Sequence, residues 1–175
     1  MKKTTILGIA ILVLCVLLIA CTQPRAVPLK TETAESGDTK NKMAENSEPN
    51  PETGYTGKVL AGKTSLYLDF NRADYEKALK ENKKILLYFY ANWCPLCVAE
   101  EPKTFSAFNE LNDGDLVGFR VNYRDSDTDM NEEGLAEEYG VAYQHTKVLI
   151  KDGKKTGKYP DSWNKERYLE ELKKL

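Results

Sequence analysis

Two cysteines separated by two residues, Cys94 and Cys97, stand where an apolar run meets a helix-like segment in ILLYFYANWCPLCVAEEP, from Ile85 to Pro102. A sulfur at a strand-to-helix junction meets unpaired backbone N–H groups and the positive end of the helix dipole, and both favour thiolate over thiol. In such motifs a cysteine pKa falls from about 8.5 into roughly the 3.5–7.5 range, which makes Cys94 a nucleophile at neutral pH. Cys97, one helical turn on, is expected to be more buried and placed to resolve a mixed disulfide by attacking Cys94. Pro95 and Leu96 between them carry no charge. They give the thiolate no counter-charge, which favours a modest reductant over a strong oxidant. A static disulfide is the competing reading, although so short a loop gains little from closure. A closed zinc site needs four ligands, and the mature domain offers these two cysteines and one histidine, His145.

The elements that must hold the pair read as alternating strands and helices over about 115 residues, an α/β pattern with a central sheet flanked by helices. Ser65 to Phe70 reads as a short strand, and Asn71 can cap a helix reaching about Asn82. Ile85 to Tyr90 is a continuous apolar run, as expected of a strand buried on both faces. The next helix should start near the cysteines and reach about Leu111, with Phe105, Phe108 and Leu111 inward and a kink at Pro102. Leu116 to Asn122 gives another strand, and Glu132 to Tyr139 a short helix ended by Gly140. Lys147 to Lys151 and Gly157 to Tyr159 flank Asp152-Gly153, a hairpin signal. A terminal helix follows Ser162 and buries Tyr168, Leu169 and Leu172. The acids of Asp125 to Asn131 lack the glycine and glutamate of a calcium loop, so they read as a solvated loop.

Upstream, the composition changes twice. Met1 to Ala20 joins a short basic start to an apolar stretch, the layout of an export signal and too short for a comfortable membrane span. Leu18-Ile19-Ala20-Cys21 resembles the lipobox of prokaryotic lipoproteins, which implies cleavage before Cys21 and lipid on its sulfur. Residues 21–58 are then a lipid-anchored tether rich in Thr, Glu, Ser, Asn, Pro and Lys, with too little apolar surface to fold alone. Roughly 35 flexible residues would let the domain at 59–175 range on the order of 30 Å from the membrane. The expected location is the outer side of the cytoplasmic membrane. A net charge of -2 with mixed signs argues against a nucleic-acid partner.

Tyr88-Phe89-Tyr90-Ala91-Asn92-Trp93-Cys94-Pro95-Leu96-Cys97, together with Tyr139-Gly140-Val141 and the strand and turn from Lys147 to Gly153, resembles the thioredoxin superfamily. The resemblance implies a thioredoxin-like fold and thiol–disulfide exchange with protein thiols and disulfides outside the cytoplasm. It implies Trp93 as a substrate contact, a membrane protein as electron donor and no cofactor. Two positions depart from the pattern. Tyr88 stands where the family has a buried Asp six residues before the first cysteine, and reads as a core aromatic and a poor base at neutral pH. His145 falls where the family has a cis-proline, so the Gln144–His145 bond is expected to be trans and the substrate groove altered. His145 is then expected to face the sulfurs, as a base or charge partner for Cys94. The alternative is a Cys94, Cys97 and His145 site for copper, since similar copper-delivery proteins of this fold carry a histidine in a comparable place.

Overall fold

The structure, a computed structural model, describes residues 49–175. The expected signal at 1–20, the lipid site Cys21 and most of the tether lie outside these residues. Six strands and four helices follow one another: β1 (Val59–Ala61), β2 (Leu66–Asp69), α1 (Arg72–Lys80), β3 (Lys84–Tyr90), α2 (Pro95–Glu110), β4 (Leu116–Asn122), α3 (Met130–Glu138), β5 (Thr146–Lys151), β6 (Lys154–Tyr159) and α4 (Lys165–Lys173). They build one sheet in the order β1-β2-β4-β3-β5-β6. Strands β2, β4 and β3 are parallel, whereas β1, β5 and β6 run antiparallel to their neighbours. The sheet is therefore mixed.

Strand β3 shows why its sequence is a continuous apolar run. Successive side chains alternate across the sheet, and here both faces are covered. Ile85, Leu87 and Phe89 join Tyr75 and Ala78 of α1 and Leu135 and Ala136 of α3 in one core layer. Leu86, Tyr88 and Tyr90 join Cys97, Ala107 and Phe108 of α2 and Tyr168 and Leu172 of α4 in the other. The cysteines thus sit on the α2/α4 side.

Local chemistry sets the ends of the elements. The Asn71 side chain accepts from the amides of Ala73 and Asp74 and starts α1. Asp129 and Glu132 form a reciprocal capping box, so α3 begins at Met130, two residues earlier than expected. Asp152 and Gly153 both have positive φ, which suits the two-residue hairpin turn between β5 and β6. Pairing across that turn carries β6 back to Lys154. Asn164 caps α4, which starts at Lys165. Phe105 and Leu169, expected to be inward, are half-buried at the edge of the core. Helix α2 runs on through Pro102. The proline ring nitrogen has no hydrogen to give the Val98 carbonyl one turn back.

Packing also begins before the expected boundary at 59. Tyr55 is buried beneath the Lys77 ammonium, 4.4 Å from its ring centre. The buried Asp74 carboxylate accepts from the amides of Thr56 at 3.0 Å and Gly57 at 2.6 Å. An ionised acceptor makes such bonds strong, and they strap residues 55–57 to α1. The segment assigned to the tether up to residue 58 is in this part folded.

Candidate active site

Cys94 is the N-cap of α2 and Pro95 its first residue, where a missing N–H costs nothing. The Cys94 amide donates to the Ala91 carbonyl at 3.1 Å, and the Cys94 carbonyl accepts from Val98 at 3.0 Å. The Cys97 amide donates to Cys94 Sγ at 3.3 Å. The first sulfur is thereby held over the start of the helix, where unpaired amides converge. Cys94 keeps 5% exposure and Cys97 none. The expected ranking holds, but Cys94 offers less surface than its role as attacker suggested, so a partner must approach over its exposed neighbours. Those are Trp93 at 57%, Leu96 and Val98, with Pro95 also exposed. Burial pushes the Cys97 thiol up to about 12, and its link to Cys94 adds to the rise.

The loop after β4 fixes the tryptophan. Trp93 Nε1 donates to the Arg124 carbonyl at 2.8 Å, and the Asn92 amide donates to Asp125 at 2.9 Å. Asp125 is therefore more than a solvated acid. It pins the turn that presents Trp93 beside Cys94.

His145 has a trans peptide bond and a left-handed backbone with φ of +66°. Its amide donates to the Phe89 carbonyl at 2.6 Å, which places it at the end of β3 next to the cysteine turn. The imidazole is buried, and Nε2 lies 2.8 Å from Glu100 Oε2 and 3.4 Å from Ser162 Oγ. The ring packs edge-on to Tyr88, 6.2 Å between centres. No hydrogen bond joins it to either sulfur among the described residues, so the expected base or charge partner for Cys94 is instead a partner of Glu100. No three His, Cys, Asp or Glu side chains among the described residues converge on a point that could hold a metal ion. Cys94, Cys97 and His145, the residues of the copper alternative, are not such a group here.

What the sequence reading missed is the group that holds His145. Glu100 is 1% exposed, and burial alone would raise its pKa; hydrogen bonds from His145, Lys147 and Tyr168 outweigh this and hold it at about 2. Its Oε1 lies 2.7 Å from Lys147 Nζ and 2.6 Å from the Tyr168 hydroxyl. Its Oε2 also accepts from the Trp163 amide at 3.0 Å. Lys147 is fully buried and donates to the Asp161 carbonyl at 2.7 Å. The signal was present in the spacing: Cys97, Glu100, Thr104, Ala107 and Phe108 are the buried residues of α2, and they recur at three and four. A glutamate in that stripe requires an inward cation. Tyr88 is a core aromatic, and its hydroxyl is buried with no hydrogen-bond partner of normal geometry. It lies close enough to the Cys97 sulfur to oppose part of the rise in that thiol's pKa.

The family model described as Thioredoxin matches residues 67–174. "Thioredoxin-2" of Pyricularia oryzae is 30% identical over 119 residues, 66% of this chain and 65% of that protein, so this chain spans about two thirds of its relative's length. Among solved structures, Trxlp from Edwardsiella tarda superposes with a TM-score of 0.51 at 21% identity, over 59% of this chain and 95% of that one. Thioredoxin from Aeropyrum pernix gives 0.51 at 17% identity, over 67% and 93%. Thioredoxin O2 from Arabidopsis thaliana gives 0.50 at 18% identity, over 66% and 98%. At these identities the structures establish the fold, and the mixed sheet flanked by helices is thioredoxin-like. With its cysteine pair at the head of α2 and a family match running from β2 to the end of α4, the chain belongs to the thioredoxin family.

Proposed function

We propose that this chain is a thiol–disulfide oxidoreductase, held by a lipid on Cys21 to the outer side of the cytoplasmic membrane and acting on exported proteins. The observation that carries the reading is the arrangement of the two thiols. Cys94 caps α2 with its sulfur over a backbone amide, beside an exposed Trp93, and the second thiol is buried three residues on. In the proposed reaction the Cys94 thiolate attacks a substrate disulfide, forming a Cys94–substrate bond and releasing one substrate thiol. Cys97 then attacks Cys94 Sγ, the mixed disulfide breaks, and the second substrate thiol leaves. The substrate gains two electrons, and the Cys94/Cys97 pair is oxidised. The uncharged Pro95-Leu96 spacer favours the reducing direction, with a membrane protein returning the electrons. Family membership supports the exchange chemistry, and the sequence of residues 1–21 supports the anchor.

Expression of the full chain in a bacterial host tests both parts. Disulfide-reducing activity should be found in the membrane fraction and fall to background in Cys94→Ser. It should move to the soluble fraction in Cys21→Ser. Activity that survives Cys94→Ser would overturn the chemistry, and activity that stays membrane-bound in Cys21→Ser would overturn the anchor.

A further inference from the structure

Lys147 stands directly opposite Tyr88 in the β3–β5 ladder, facing the layer that holds Cys97. Its ammonium lies 5.0 Å from the centre of the Tyr88 ring and 5.6 Å from that of Trp163. Its ion-pair partner Glu100 is one helical turn past Cys97, on the same buried face of α2. The ammonium therefore lies on the same side of the sheet as the second sulfur, against the ring of the residue six places before Cys94 and paired to a carboxylate one turn past Cys97. Stability does not require it, because a buried ion pair is commonly no better than a well-packed apolar pair.

We propose that Lys147, held in place by Glu100 and the Asp161 carbonyl, is a positioning residue that stabilises the Cys97 thiolate while the mixed disulfide is resolved. The inference rests on the exchange reading above and assigns the part of that reaction this chain solves in its own way. Cys97 must lose a proton inside the protein before it can attack. Its sulfur forms the bond to Cys94 Sγ, the Cys94–substrate bond breaks, and the proton ends on the departing substrate thiolate, so no outside oxidant or base is consumed. The Glu100 carboxylate is held by more than Lys147, since His145, the Tyr168 hydroxyl and the Trp163 amide also hydrogen-bond it. Burial lowers the Lys147 pKa, and Glu100 first, then Asp161 and a Cys97 thiolate, oppose that fall and favour the charged ammonium. The orphaned Tyr88 hydroxyl beside the same sulfur is a second donor ready for the thiolate. The charged and titratable groups around the ammonium are Glu100 and Cys97 from α2, Tyr88 from β3, His145 before β5, Asp161 after β6, and Arg167 and Tyr168 from α4.

The test uses the full chain in a Cys15→Ser/Cys21→Ser background, so that Cys94 and Cys97 are its only thiols. Reaction with the aromatic disulfide 5,5′-dithiobis(2-nitrobenzoate) releases one coloured thiol when Cys94 attacks and a second when Cys97 resolves. Lys147→Met should slow the second release at least tenfold at pH 7 and move its pH midpoint upward by about one unit, with the first release changed less than twofold. Because the single variant leaves Glu100 without its ion-pair partner, Glu100→Gln/Lys147→Met is measured beside it and should show the same slow second step in a stable fold. An unchanged second release and midpoint in the double variant would overturn the inference, as would equal slowing of both steps. A wild-type chain with no first release would instead remove the exchange reading, and this inference with it.

Discussion

The buried pair of Glu100 and Lys147 carries a consequence at the residue scale that can be read in acid. Glu100 ionises at about 2 in the fold against 4.5 for the free group. The folded chain thus holds the carboxylate more tightly than the unfolded chain does. The stabilisation is complete above pH 4.5 and is lost as pH falls towards 2, an effect on the order of 1–3 kcal/mol. Denaturant unfolding from pH 5 down to pH 2 should show the wild type losing that much more than Glu100→Gln/Lys147→Met. Parallel curves would contradict it. Neither charge was singled out from sequence, because their 47-residue separation hides the pairing. The cysteines were legible because their meaning lies in local spacing. His145 was legible as a departure but not in its role, since a left-handed backbone and a carboxylate 45 residues away in the chain decide where the imidazole points.

Helix α2 must be seated before Cys94 can be placed, and the seat is a glycine. Gly118 in β4 has no side chain to keep the helix away; a Cβ there would lie 2.5 Å from Phe108 Cζ and 2.7 Å from Tyr67 Cδ2. Phe108 and Tyr67 stack with 5.0 Å between ring centres over that bare backbone. Gly118→Ala should therefore destabilise the fold by about 1–3 kcal/mol through overpacking and slow disulfide exchange by shifting α2. Thermal unfolding and exchange rate measured on the same protein check this, and unchanged values for both would refute it. Most elements could be read from side-chain period: β3 and β4 from apolar runs, and α1 from its Asn71 cap. Strand β1 could not, because Val59-Leu60-Ala61 is only three residues long. The first half of β6 was hidden too, since Lys154 and Lys155 show no apolar alternation and main-chain pairing across the turn places them.

On the scale of the whole molecule, the sheet separates two layers with different tasks. The α1/α3 layer is built of apolar and aromatic side chains and ties down residues 55–57 through Asp74. The α2/α4 layer holds both sulfurs and the Glu100–Lys147 pair. The fold class was readable from the βα alternation, whereas the start of the folded part was not, because Asp74 rather than an apolar run draws Thr56 and Gly57 in. Cys94 is barely exposed at the head of α2, beside the exposed Trp93, Leu96 and Val98, and the proposed exchange would bring a partner's disulfide to it over those side chains. The most direct measurement of that central claim is mass spectrometry of Cys97→Ser after incubation with oxidised glutathione. The account expects one glutathione held on Cys94 and persisting there, while the wild type passes on to the Cys94–Cys97 disulfide. A Cys94 that remains unmodified under those conditions would contradict it.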